Sequence, residues 1–138
     1  MKTFQLDIVT PEGAAFQGPV ERLVLPAWEG LLGVLPGHEA QVAAMKPGPL
    51  RYEAGGKVEW MAVSGGFADI RPDRVVLLVE TAEAAEAIDA ARARARAEQK
   101  RQALESGLRR DSLDYARIEA GLLKELARLK VAERGKRP

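Results

Sequence analysis

His38 is the only histidine in a chain of 138 residues, and there is no cysteine. Any nucleophile that needs an imidazole partner would have to use His38, and disulfide and thiolate chemistry are absent. Ser64 comes nearest to an exposed-nucleophile elbow, but Ala62 stands where Gly-x-Ser-x-Gly requires its first glycine. No Gly-x-x-x-x-Gly-Lys-[Ser/Thr] phosphate loop occurs. A metal site would need carboxylates around at most one imidazole, a weak donor set. Carboxylates are plentiful, yet no spacing singles out a pair for acid–base work. The residue types point to binding, and the chain is expected not to be an enzyme in itself.

The charges fall into two blocks. Residues 1–84 carry seven Lys and Arg against eleven Asp and Glu, a net −4; residues 85–138 carry fourteen against nine, a net +5. The total of +1 hides this split. An acidic head and a basic tail attract each other and leave the tail able to seek another acidic surface. The same boundary shows in the turn formers: seven of eight prolines and ten of thirteen glycines lie in the first block. No apolar run approaches the roughly 20 residues of a membrane span, and Met1 to Thr10 has no signal-peptide character. A reducing, cytoplasmic setting is the expectation.

The first block has the punctuation of an all-β fold. Phe4, Leu6 and Ile8 alternate with Gln5, Asp7 and Val9 before a turn at Pro11-Glu12-Gly13. Val20 to Leu25 is the next run, and Leu31 to Leu35 closes at Pro36-Gly37. Leu50–Glu53 and Lys57–Val63 flank the hairpin turn Ala54-Gly55-Gly56. Phe67–Ile70 and Val75–Val79 flank Arg71-Pro72-Asp73-Arg74. Short strands at this spacing predict a flattened β-sandwich or barrel. In the tail the period changes: Ala84, Ala87, Ile88, Ala91 and Ala95 predict a helix capped at Thr81, with Glu83 and Glu86 at its positive end and Gly107 at its stop. Asp111 or Ser112 caps a second helix bearing the stripe Tyr115, Ile118, Leu122, Leu126, Leu129. The expected fold is therefore an all-β head over 1–84 followed by a two-helix C-terminal hairpin over 85–138. An alanine face against a leucine face buries little area, so the hairpin is expected to open readily.

Several segments carry a likeness that none carries alone. They are Val9-Thr10-Pro11-Glu12-Gly13, Leu32-Gly33-Val34-Leu35-Pro36-Gly37-His38, Ala62-Val63-Ser64-Gly65-Gly66-Phe67, Ile70-Arg71-Pro72-Asp73, Ala82-Glu83, Ile88-Asp89-Ala90-Ala91-Arg92-Ala93, Asp114-Tyr115 and Arg128-Leu129. In this order, covering almost the whole chain, they resemble the epsilon subunit of the bacterial F-type ATP synthase. The resemblance implies a non-catalytic subunit of the rotating central stalk, peripheral to the cytoplasmic face of the bacterial cell membrane. Its head would bind the gamma subunit and sit on the c-ring. Its tail would inhibit ATP hydrolysis by extending toward the alpha and beta subunits.

The resemblance also assigns residues. Glu29, Leu31 and His38 fall in the c-ring contact region; the family commonly has an acidic residue where Leu31 stands. The plainer reading of Gly33, Pro36 and Gly37 is a turn, and of Ser64-Gly65-Gly66 a close approach between strands. Some members of the family bind ATP on the folded hairpin, so no cofactor is required but a regulatory ATP is implied. Carried over, its set is Glu83, Ile88, Asp89, Arg92, Ala93, Arg117, Lys124 and Arg128. Lys124 stands where binders tend to have Arg, losing the bidentate fork, and Gln99 replaces a basic residue. The plainer reading of Asp89 is a carboxylate complementing the helix dipole, and of Arg92 a solvated side chain. Arg94, Arg96, Lys100 and Arg101 would meet an acidic partner, or simply form a solvated face. The alternative function is a β-domain adaptor whose basic helices bind nucleic acid or another acidic partner. Base stacking would favour aromatic residues among those charges, and only Tyr115 is available, so no nucleic acid is expected.

Overall fold

The structure is a computed structural model and describes residues 2–135. Ten strands come first: β1 (Phe4–Thr10), β2 (Gly13–Val20), β3 (Arg22–Ala27), β4 (Gly30–Val34), β5 (Gln41–Met45), β6 (Gly48–Ala54), β7 (Lys57–Val63), β8 (Gly66–Ile70), β9 (Arg74–Val79) and β10 (Ala82–Ala84). A 3-10 turn (Ala85–Ala87) leads into α1 (Ala90–Glu105) and α2 (Leu113–Gly135). The strands form one sheet in the order β10-β7-β6-β3-β5-β8-β9-β1-β2, with β4 paired to β3. All pairs are antiparallel except β1 with β9.

This sheet folds back on itself. Phe16 on β2 and Tyr52 on β6 are distant along the strand order, yet their ring centroids lie 4.4 Å apart. The core between the layers holds seventeen buried hydrophobics, with Leu6, Ile8, Leu23, Leu25, Leu50, Ile70 and Leu77 at zero exposure. Full burial of such a side chain is worth about 1.5–3 kcal/mol. By contrast, α1 and α2 bury only Ala93, Ala97, Ala127, Val131 and Ala132 among their apolar side chains. The head thus has a self-sufficient core and the hairpin a thin seam.

Local chemistry explains the tight places. The β6–β7 turn has Gly55 and Gly56 at φ +61° and +78°, the pair of positive angles a two-residue hairpin requires. Glu21 accepts from both of their N–H groups, at 3.1 and 2.8 Å. Gly66 lies so close to β9 that a Cβ would sit 2.0 Å from the Leu78 carbonyl oxygen, so the expected close approach at Ser64-Gly65-Gly66 is real. Asp7, buried on β1, takes an ion pair from Arg74 of β9 at 2.5 Å.

The helical period predicted from Ala84 to Ile88 is not realised as an α-helix: only Ala85–Ala87 turns, as a single 3-10 turn, and α1 begins at Ala90. β10 pairs with the free edge of β7, Ala82 with Val63 and Ala84 with Met61. Thr81 does not cap α1: its N–H donates to Ser64 Oγ at 2.7 Å, and its carbonyl accepts from Ser64 N–H at 3.0 Å. The exposed Ala91 and Ala95 give way to Ala93 and Ala97 as the buried face of α1.

Candidate functional site

Asp89 starts α1. Its carboxylate accepts from the N–H of Arg92 at 3.0 Å, as an N-cap does. Ser112 caps α2, accepting from Tyr115 N–H at 3.1 Å. Between the helices, Gly107 takes φ +98°, suited to its place just past the end of α1. The helices pack on each other, and α2 also lies across β6 and β7. In the last turn of α2, Gly135 passes so near the 3-10 turn that a Cβ there would overlap Ala85.

Charged side chains join the two helices to each other and α2 to the head. Glu125 on α2 is 1% exposed. It receives Arg128 Nη1 at 2.5 Å and Lys100 Nζ, from α1, at 3.4 Å. Arg128 also donates through Nε to Glu83 of β10 at 2.6 Å. Lys124, one turn earlier, pairs with Glu80 at 3.7 Å. Burial pushes the Glu125 carboxyl up, but the Arg128 hydrogen bond and the charges of Arg128 and Lys100 outweigh it and hold the group below its usual value. For Arg128, burial pulls the guanidinium down, and hydrogen bonds and charges of Glu83 and Glu125 more than restore it.

The residues assigned to ATP are only partly gathered. Glu83 and Arg128 touch, and Ile88, Asp89, Arg92 and Ala93 follow Glu83 closely in the chain. Ala93 is buried under α2, whereas Asp89 and Arg92 are exposed. Arg117 stands apart: it precedes Arg128 by eleven residues on one helix, about 16 Å at 1.5 Å per residue. Among the basic residues, Arg94, Arg96 and Arg101 are exposed, with Arg101 paired to Glu98. Lys100 instead turns toward Glu125.

The residues assigned to the c-ring separate into two groups. Glu29 and Leu31 lie at the β3–β4 turn, where Leu31 is 74% exposed. His38 lies beyond the opposite end of β4, where its N–H bonds to Leu35 and its Nδ1 meets the Glu39 carbonyl at 2.8 Å. Trp28 joins the first group and is also strongly exposed, a residue the sequence reading passed over. It also passed over an outward apolar face on β5, β8 and β9. Phe67 pairs across with Ala44 on one side and Leu78 on the other, and Val42, Phe67 and Leu78 are all exposed. The available signal was that Val75–Val79 is apolar on both faces of the sheet and that Phe67 alternates with the buried Ala68.

Among the described residues, no group of His, Asp and Glu could hold a metal, and no helix is long and apolar enough to cross a membrane.

These features occur together in known proteins. Residues 3–85 match the family model described as ATP synthase, Delta/Epsilon chain, beta-sandwich domain. The chain is 43% identical over 132 residues to the ATP synthase epsilon chain of Desulforamulus reducens, covering 96% of this chain and 98% of that one. It is 42% identical, with the same coverage, to the ATP synthase epsilon chain of Bacillus velezensis. Among solved structures, it superposes with a TM-score of 0.82 and 28% identity on a chain in the cryo-EM structure of the Euglena gracilis mitochondrial ATP synthase, OSCP/F1/c-ring. That match covers 95% of this chain and 81% of the other. With its β-sandwich head, helical hairpin and full-length likeness to these relatives, the chain belongs to the ATP synthase epsilon chain family.

Proposed function

We propose that the chain is a non-catalytic rotor subunit of the central stalk of a proton-translocating F-type ATP synthase, with a C-terminal hairpin that moves to inhibit ATP hydrolysis. The observation that carries the regulatory half is the contrast between the two parts. The head has a deep aliphatic core, whereas the hairpin is seated by ion pairs and small side chains. A unit seated this way can leave while the head stays folded. Extended, each helix spans on the order of 25–35 Å at 1.5 Å per residue, and the exposed Arg94, Arg96 and Arg101 would meet acidic surfaces of the alpha and beta subunits.

The exposed apolar face of Val42, Phe67 and Leu78 is the part of the head best suited to gamma. The tip carrying Trp28, Glu29 and Leu31 suits the c-ring. These contacts hold the subunit at the cytoplasmic face of the membrane. ATP favours the folded hairpin, with Arg92 and Arg128 toward the phosphates and Asp89 toward the adenine amino group; it shifts the equilibrium by its differential affinity for that form.

Purification of the complex from a membrane extract tests the assignment. Co-elution with gamma, alpha, beta and c is expected, and deletion of residues 85–138 is expected to raise hydrolysis without releasing the head. A head that does not co-elute would refute the rotor reading, and unchanged hydrolysis would refute the inhibitory one.

A further inference from the structure

The β3–β4 turn is made from residues that a turn does not need. Ala27 pairs with Gly30 and Pro26 with Leu31, so Trp28 and Glu29 are the whole of the turn. Tight hairpin turns favour Gly, Asn and Asp, which reach the required backbone angles or bond to the backbone. Here Gly30, at φ +130°, supplies the unusual angle, and neither Trp28 nor Glu29 has a positive φ. Trp28 is 62% exposed and Leu31 74% exposed, so burial in the head does not account for either. Among the described residues, the Glu29 carboxylate has no hydrogen bond or ion pair.

The tip is stiff at its base. Trp28 N–H donates to the Ala44 carbonyl, and Lys46 N–H donates to the Pro26 carbonyl, each at 3.1 Å. The ring of Pro26 fixes its φ, and Gly48 packs so close that a Cβ there would lie 2.8 Å from that ring. Side chains offered from a fixed base lose less freedom on binding. Tryptophan is also among the residue types that most often carry the energy of an interface. A bilayer is the poorer occupant: the head is net −4 and Glu29 stands at the tip, and an anionic leaflet repels both. A protein surface with an apolar socket and a cation or N–H donor at its rim satisfies Trp28, Leu31 and Glu29 together.

We propose that Trp28 is the anchor of the c-ring contact, entering an apolar socket on the ring with Leu31 beside it, while Glu29 meets a donor at the rim and sets the orientation. This rests on the c-ring reading given above. The contact holds through buried apolar area, so salt does not release it.

The test is hydroxyl-radical footprinting of the intact complex and of the same complex stripped of its c-ring, read by mass spectrometry at Trp28 and Leu31. With the ring in place, Trp28 oxidation is expected to slow at least about tenfold, as at the water-free centre of an interface. Protection of Leu31 without Trp28 overturns the anchor and leaves the c-ring reading standing; protection of neither refutes both. Trp28 already shielded without the ring assigns the tip to gamma or to a second copy and overturns the proposal. Shielding of the isolated subunit by phosphatidylglycerol vesicles assigns it to lipid, with the same consequence. Binding of the subunit, together with gamma, to purified c-ring in detergent gives the second readout. Trp28→Ala should weaken it at least about tenfold and Glu29→Gln no more than about threefold. The ratio of wild-type to Trp28→Ala binding should persist from about 50 to about 500 mM salt, because apolar burial is not screened. Trp28→Ala should melt with wild type, since the side chain lies outside the core. A larger loss in Glu29→Gln than in Trp28→Ala, or a ratio that collapses with salt, would make the contact electrostatic and overturn the anchor.

Discussion

The guanidinium of Arg134, in the last turn of α2, lies 5.6 Å from the ring centroid of Trp60 on β7. Arg51, paired across from Trp60 on β6, lies 5.7 Å from the same ring. The end of the hairpin is thus tethered to the head by a cation over an aromatic ring, apart from the ion pairs further along α2. At exposed sites such a contact is worth about 0.5–1 kcal/mol. Arg134→Ala should loosen the end of α2 by about that amount while leaving head stability unchanged. In a Trp28→Phe background Trp60 is the only tryptophan, and its emission should shift to longer wavelength in the variant. Unchanged emission would show that the tether does not persist in solution.

Deleting residues 85–138 should leave a folded head. All seventeen residues of its core cluster precede the hairpin, so cooperative thermal unfolding and a β-type circular dichroism spectrum are expected. The newly bared faces of β6 and β7, with Trp60, should make the truncated head more prone to self-association. Loss of cooperative unfolding would mean that the hairpin supplies part of the core.

Gly66→Ala should damage the head itself. The added Cβ would meet backbone at 2.0 Å, and backbone cannot step aside as a flexible side chain can. Separating β8 from β9 at that point should cost about 2–4 kcal/mol, in the range of the larger single-site losses. A melting temperature within a degree of wild type would show that the strands part there at little cost.

The two helices should stay packed on each other across neutral pH and loosen in acid. Glu125 has a lowered pKa in the folded form. Its contribution is therefore full above the ordinary carboxylate value and is lost as pH falls through the lowered one. Arg128 is shifted upward, so its contribution is full at every pH below its ordinary value and does not change in this window. Exchange protection of α2 should be flat from pH 8 to about 5 and fall below that, and Glu125→Gln should flatten the acid limb. An acid limb unchanged in that variant would assign it to another carboxylate.

Removing the exposed charges of α1 should act on the complex, not on the subunit. Arg94→Ala, Arg96→Ala and Arg101→Ala together should raise ATP hydrolysis severalfold, the effect shrinking as salt screens the wild-type attraction. Lys100 is left intact because it holds Glu125. Equal hydrolysis, with the variant shown to be incorporated, would remove those arginines as the inhibitory contact.

The alternation of Phe4 to Ile8, the glycine pair at 55–56 and the glycine-ended helix were open to reading because each follows from local chemistry. β2 was not: Gly13-Ala14-Ala15-Phe16-Gln17-Gly18-Pro19 has little strand propensity, and it is a strand because it lies at the sheet edge against β1, where a proline is tolerated. β5 hid for a related reason, its Ala43 and Ala44 being poor strand formers held by β8. Ala82 to Ile88 has a helical period, but the open edge of β7 claims its first three residues. Glu125 reads as one more solvated glutamate on a helix. Only the approach of Lys100 from another helix makes it a buried centre, although the spacing of Glu125 and Arg128 was a hint.

The single parallel pairing in the head sets an order of events during synthesis. β1 leaves the ribosome well before its inner neighbour β9, which ends at Val79, and the head cannot close before that strand arrives. Until then β1 and β2 can form only a hairpin with an apolar face uncovered, the kind of surface on which growing chains stick to one another. Everything that follows Ala84 reaches a head already able to close. Nascent α1 and α2 therefore meet a finished head whose net charge is opposite to their own.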